Sequence, residues 1–328
     1  MQRRCVANAL ASRGGFRYSV PMTDPALQPR QRLIGIALMC GAVATFACLD
    51  ATAKYLNGHM DTLEVVWARY TGAFLWAFAF SNPLTRPGLL KTRRPVLQVV
   101  RSGLLLGSTV FNFLAFRYLQ LDQALSILFS VPFMVAALAG PMLGEWIGWR
   151  RWTAILVGFT GVLLVMRPGP AGFDPAVLLS FGSAVCYTLY GITTRLLARS
   201  DSNETTLFYT NLVGVVVMLP VVLFVWTTPA SPWIAFLMIM IGALGSFGHY
   251  LLIAGHRLAP ASILSPFMYT QLVWAVMLGY LVFDQLPDRW TLAGAGVVIA
   301  SGLYILNRER KMHSVEATRA TTDAAGPH

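Results

Sequence analysis

Apolar residues run almost unbroken from Leu33 to Leu56, and stretches of similar length recur along nearly the whole chain. Ten of them, each about 17–27 residues, are long enough to cross a ~30 Å hydrocarbon core as helices. The expected spans are 33–56, 63–81, 96–117, 122–144, 152–168, 174–197, 204–226, 232–256, 260–283 and 290–307. Turn residues punctuate them at Asn57-Gly58, Ser81-Asn82-Pro83, Arg167-Pro168-Gly169-Pro170 and Thr228-Pro229. The pattern predicts an all-α membrane protein of ten transmembrane helices, with no soluble domain inserted.

Composition agrees. Only 12% of the 328 residues are charged and 56% are hydrophobic, where a soluble domain carries about 25% charged residues. The net charge of +11 raises nucleic acid as a partner, but the cations sit in short connections with no extended basic face. They read instead as orientation signals toward a lipid bilayer. With the N-terminus inside, nineteen Lys and Arg fall on internal segments. Four (Lys54, Arg117, Arg167 and Arg289) fall at external ends, and Arg69 and Arg101 lie within helices. This asymmetry places both termini in the cytoplasm and the protein in the cell inner membrane. Cys5, Cys40, Cys48 and Cys186 lack paired spacing and read as small core residues, with no disulfide framework and no metal site. Residues 1–21 hold four arginines and no apolar stretch fit for a signal peptide, and Met22 opens a more ordinary leader. Those first residues are expected to be dispensable.

The chain also resembles itself. Glu145-Trp146-Ile147-Gly148-Trp149-Arg150-Arg151-Trp152, leading to Gly158 and Gly161, matches Asp284-Gln285-Leu286-Pro287-Asp288-Arg289-Trp290, leading to Gly294 and Gly302. An acid closes one helix, Arg-Trp opens the next, and glycines follow, at an offset of about 140 residues. Five helices per half is an odd number, so the second half must insert upside down. Inverted repeats of this kind are a transporter signature, with the site near the midplane between the halves.

Leu258-Ala259-Pro260-Ala261-Ser262, Pro266-Phe267-Met268-Tyr269, Gly279-Tyr280-Leu281-Val282-Phe283 and Pro287 resemble the C-terminal repeat of EamA-type carriers of the drug/metabolite transporter superfamily. The first half adds Asp50-xxx-Lys54, Arg69-Tyr70, Ala124 through Pro132, and Leu143-Gly144-Glu145. The resemblance implies a cytoplasmic segment 1–32, a first repeat over 33–168, a second over 174–307 and a cytoplasmic tail 308–328. It also implies a central cavity lined mainly by the first, third, fourth, sixth, eighth and ninth spans, and transport without ATP. One departure is Phe283-Asp284, where many members have Gly-Glu. Asp284 and Glu145 are expected to serve as loop-anchoring or gating acids.

Few polar groups interrupt the apolar spans. A charge at a helix centre costs roughly 2.5–3.5 kcal/mol on insertion scales, so intramembrane charges are functional candidates. Asp50 and Lys54 share a helix face at i and i+4 and can pair. They are expected to form an external gate in which Asp50 exchanges between Lys54 and Arg69. Arg69 lies deep enough to need Asp50, Glu64 or a substrate anion. Arg101, near the cytoplasmic start of its span, is expected to snorkel. His249 follows Gly242, Gly245 and Gly248, which leave a smooth face for close helix contact. It could shuttle a proton, and satisfied core packing is an equal reading. Asn112, Tyr187, Tyr190, Tyr269, Gln271 and Trp274 add polar edges among aromatics, the usual make-up of a small-molecule site.

There is no Gly-xxxx-Gly-Lys-Ser/Thr loop, hence no ATP motor in the chain, and no cofactor is called for. An intramembrane enzyme would need Asp50 and His249 at one depth, and their spans put them toward opposite faces. A channel or assembly scaffold would need a continuous pore or a large small-residue face. A secondary transporter working by alternating access fits best. Trp67, Tyr70, Tyr187, Tyr190, Tyr269 and Trp274 suit a flat ring, and riboflavin uptake is the specific expectation. Export of amino acids, drugs or other metabolites stays open.

Overall fold

The computed structural model describes residues 27–80, 87–143, 149–166, 174–197, 200–259 and 261–324. Among them all regular structure is helical. The helices are α1 (Leu27–Asn57), α2 (Thr62–Phe80), α3 (Pro95–Ala115), α4 (Leu121–Leu128), α5 (Val131–Leu143) and α6 (Trp149–Met166). The second half holds α7 (Ala176–Leu197), α8 (Asn203–Val225), α9 (Pro232–Leu258), α10 (Ala261–Met268), α11 (Thr270–Phe283) and α12 (Arg289–Ala324). Seven stretches are long and apolar enough to cross a membrane by length and composition, and Trp152–Met166 and Arg289–Ile305 are shorter apolar helices.

Local chemistry sets the ends. The Asp61, Asp174 and Asp288 carboxylates accept from the first free N–H groups of α2, α7 and α12. Ser202 and Ser231 do the same for α8 and α9, and Pro95 and Pro232 occupy first-turn positions where no N–H is missed. Two expected spans, 122–144 and 260–283, are each broken in two. Pro132, with no N–H to offer, stands at the break between α4 and α5. Pro266 lies one turn before the break between α10 and α11. The last helix runs on to Ala324, past the expected end at 307.

The two halves share one plan. Leu121 and Ala261 begin α4 and α10, Trp149 and Arg289 begin α6 and α12, and both pairs are 140 residues apart. Packing repeats as well. α1 lies on α9 as α7 lies on α3, α2 on α9 as α8 on α3, and α1 on α11 as α7 on α5. α2 packs on α8 and α6 on α12, each on its own counterpart. Phe129 and Tyr269, also 140 apart, stand at the two helix breaks and meet edge to face with centroids 5.2 Å apart.

Glycines let the backbones close. A Cβ on Gly72 would lie 2.9 Å from the Gly242 Cα, and one on Gly161 would lie 2.7 Å from the Gly294 carbonyl. Gly242, Gly245 and Gly248 all turn into the bundle, against Gly72, Leu49 and Phe46. The exterior is apolar: Phe224 leaves 89% of its surface open, and Leu223, Val273 and Leu281 are likewise exposed. Polar groups sit inside, with Glu64, Gln98 and Ser102 fully buried. That reversal of the soluble-protein pattern suits a lipid surround.

Candidate functional site

Two carboxylates hold the ends of α8, one to α2 and the other to the start of α3. Glu64, in the first turn of α2, accepts from the Thr227 N–H (3.2 Å) and hydroxyl (2.8 Å) just beyond the end of α8. Asp201, just before α8, accepts from the Thr92 hydroxyl, the Arg93 N–H (3.1 Å) and Gln98 (2.9 Å) beyond the end of α2. Between the clamps lies the polar interior.

Arg101 is its largest group, and it does not snorkel. Only 4% exposed, it donates from Nε to Thr194 (2.7 Å), from Nη1 to Thr210 (2.6 Å) and the Thr206 carbonyl (3.3 Å), and from Nη2 to the Tyr190 hydroxyl (2.9 Å). Its plane lies 4.5 Å from the Tyr190 ring. Four neutral oxygens spread the charge well enough to hold it inside, so the expectation of snorkelling is corrected. Thr206 and Thr210 on α8, and Tyr190 and Thr194 on α7, stand one turn apart on facing helices. That hydroxyl spacing was the available sequence signal.

Arg69 donates from Nη1 to Thr109 (2.9 Å) and is flanked by the rings of Tyr70 and Phe113 at 5.0 and 5.9 Å. Its Nε is buried without a partner. Glu64, one of its expected carboxylates, is taken by Thr227. Asp50, the other, is 8% exposed and accepts from Gln271 Nε2 at 3.4 Å. Asp50 and Arg69 feel each other's charge without an ion pair between them.

Lys54 corrects a further expectation. Its ammonium donates to the carbonyls of Phe116 and Leu119 and lies 5.4 Å from the Phe283 ring. The last carbonyls of a helix lack intrahelical donors, and the end of α3 draws Lys54 away from Asp50. The carboxylate whose charge acts on it is Asp122.

Tyr187 and Tyr190 tilt against each other at 5.4 Å. Tyr187 leaves 40% of its surface open. Arg69 and Arg101 both act on Tyr187 and on His249. His249 donates from Nδ1 to the Gly245 carbonyl (2.9 Å) and meets Phe46 edge to face at 5.1 Å. Phe46 is one turn from Asp50 on α1, so His249 and Asp50 lie about one helical turn apart in depth, closer than their spans suggested. Asn112, one turn from Thr109 on α3, buries an amide oxygen without a partner.

Other candidates fall to packing. Trp274 borders a small core of Met39, Val43, Ala259 and Leu264. Trp67 meets Trp226 at 5.8 Å, and Tyr70 is buried against Gly214 with its hydroxyl 3.1 Å from Thr109. Tyr269 belongs to the helix break. Asp284 is exposed and caps α11 in the left-handed region (φ 52°), with its N–H on the Tyr280 carbonyl and that of Gln285 on Gly279. It serves as a helix cap, which fits the loop-anchoring side of the expectation. Glu145 lies outside the described residues, as do Arg167 and residues 1–21. Cys40, Cys48 and Cys186 are free thiols, and no group of ligating side chains suited to a metal occurs among the described residues.

The EamA-like transporter family model matches residues 33–167 and again 174–307. The chain belongs to this family. This EamA-family chain is 30% identical over 291 residues to an S-adenosylmethionine uptake transporter of Rickettsia prowazekii, covering 86% of its own length and 95% of the relative's. It is 25% identical over 282 residues to a riboflavin transporter of Vibrio cholerae, covering 85% and 95%. A solved crystal structure at 16% identity shares the fold, with a TM-score of 0.59 over 87% of this chain and 99% of that one. The EamA-family assignment and the relatives' names are those of multi-pass membrane transporters, not enzymes.

Proposed function

We propose that the protein is a secondary transporter that imports a small organic metabolite by alternating access. The observation that carries this reading is a set of hydrogen-bonded polar groups, Asp50, Arg69 and Arg101, inside two halves that exchange contacts. The repeated order and packing support ten spans, α4–α5 and α10–α11 each counting as one broken span, in two inverted repeats over 33–168 and 174–307. Rocking one half against the other then opens the polar interior to each side in turn. The charge distribution supports cytoplasmic termini in a cell inner membrane.

S-adenosylmethionine uptake and riboflavin uptake are the two activities for which relatives are named. The 30% identity favours the first; the tilted Tyr187–Tyr190 pair, suited to a flat ring, is what favours the second. Uptake of each labelled compound into cells expressing the protein, against cells carrying an empty vector, separates them. The expected result is expression-dependent uptake of one compound, lost in Asp50→Asn at unchanged protein level. Equal uptake of both compounds with and without the protein would overturn the proposal.

A further inference from the structure

Two charges of opposite sign, the buried Asp50 and the partly buried Arg69, lie within reach of each other's field with no hydrogen bond between them. Thr109 takes one Arg69 amine, and the Tyr70 and Phe113 rings flank the guanidinium, so the group is held in place. Its Nε has no partner, and Nη2 donates to no described residue. Nε and Nη2 form one edge of the planar fork, whose two parallel N–H groups match a carboxylate bidentately. Across from it, Asp50 is more than nine-tenths buried and has a single long bond, from Gln271 at 3.4 Å to Oδ2. Its Oδ1 accepts from no described residue. Arg101 does not compete for either, since four neutral oxygens already engage it.

A buried ion without a partner is strongly unfavourable. Had the two groups served only structure, a direct Asp50–Arg69 pair would have relieved both. Asp50 bonds Gln271 and Arg69 bonds Thr109 instead, which leaves a dipole whose complement is a zwitterion. Building on the transporter reading, we propose that Arg69 and Asp50 form a subsite for an α-amino-acid group, with the substrate carboxylate on the free Arg69 edge and its ammonium on Asp50. The tilted Tyr187–Tyr190 pair is then left for an attached planar ring. A flavin carrying neither charge would leave both groups unpaired.

The test is competition for uptake of labelled S-adenosylmethionine by the wild-type protein in intact cells. The competitors are S-adenosylhomocysteine, which keeps both charges, decarboxylated S-adenosylmethionine, which keeps only the amine, and N-acetyl-S-adenosylhomocysteine, which keeps only the carboxylate. S-adenosylhomocysteine is expected to compete well and the other two at least about tenfold more weakly, because each leaves one charged group unpaired. In Arg69→Gln the preference for S-adenosylhomocysteine over the decarboxylated compound is expected to collapse. Equal competition by the decarboxylated compound in the wild type would overturn the subsite while leaving the carrier reading intact. Uptake of riboflavin without uptake of S-adenosylmethionine would do the same. Absence of uptake for both compounds would remove the carrier reading and the subsite together.

Discussion

A planar guanidinium hydrogen-bonded to four neutral oxygens is held by geometry, because every acceptor must match a fixed fork. Arg101→Lys keeps the charge but offers a single ammonium to Thr194, Thr206, Thr210 and Tyr190. Each charged hydrogen bond left unmade costs about 1.5–3 kcal/mol. The variant should therefore melt clearly lower in detergent, followed by labelling of the free thiols; an unchanged melting temperature would mean the network adds nothing. Asp284 predicts the opposite sign. It holds a left-handed conformation at φ 52°, where glycine carries no Cβ penalty. Asp284→Gly should stabilise by about 1 kcal/mol, read as a higher melting temperature. These two residues also mark where sequence reasoning stopped. Position along a residue's own helix is visible in the chain, so a buried Asp50 inside its span was legible. What the neighbouring helices present is not, so Arg101 was expected in water and Lys54 on Asp50. An uncapped helix end and a column of hydroxyls outcompeted both expectations.

At the scale of helices, close approach and end clamps set the packing. The glycine face of α9 was legible from its three-residue spacing, and Gly242 does meet Gly72 across the α2–α9 contact. Gly242→Leu would drive a side chain into the α2 backbone, and overpacking of this kind typically costs about 1–3 kcal/mol. A lowered yield of folded protein by gel filtration in detergent checks it, with Gly103→Leu, whose Cβ would meet nothing, as the control. The breaks at Phe129 and Tyr269 were less legible, because an apolar run with a proline reads the same whether it kinks or stops. The Asp201 clamp predicts a pH effect. Burial by itself would raise this carboxyl. Hydrogen bonds from Thr92, Gln98, the Arg93 N–H and Ser200 outweigh it and hold the carboxyl below the usual carboxylate range. A depressed folded value means the stabilisation is present above the ordinary carboxylate value and disappears as pH falls through the folded one. Asp201→Asn should therefore melt below wild type at pH 7, and the gap should narrow on acidification below the ordinary carboxylate value. A gap independent of pH would show that the charge on Asp201 plays no part.

For the whole molecule, the exchange of contacts between halves makes a statement about sidedness. α2 and α8 pack on each other with Glu64–Thr227 at one end and Asp201–Thr92 at the other. In an inverted repeat the two clamps lie on opposite faces of the membrane. The positive-inside count then predicts Thr92 on the cytoplasmic face, since Lys91, Arg93 and Arg94 surround it, and Thr227 outside. Fusion of alkaline phosphatase, which is active only in the periplasm, provides the measurement. A fusion at Thr228 should be active, and fusions at Thr92 and after Arg310 should be silent while a cytoplasm-active reporter at the same two sites is bright. Activity at both Thr92 and Thr228 would place the two clamps on one face, and no pair of inverted halves can be built that way. Activity after Arg310 with silence at Thr228 would instead preserve the inversion and turn the protein over, moving the Glu64 clamp to the cytoplasm.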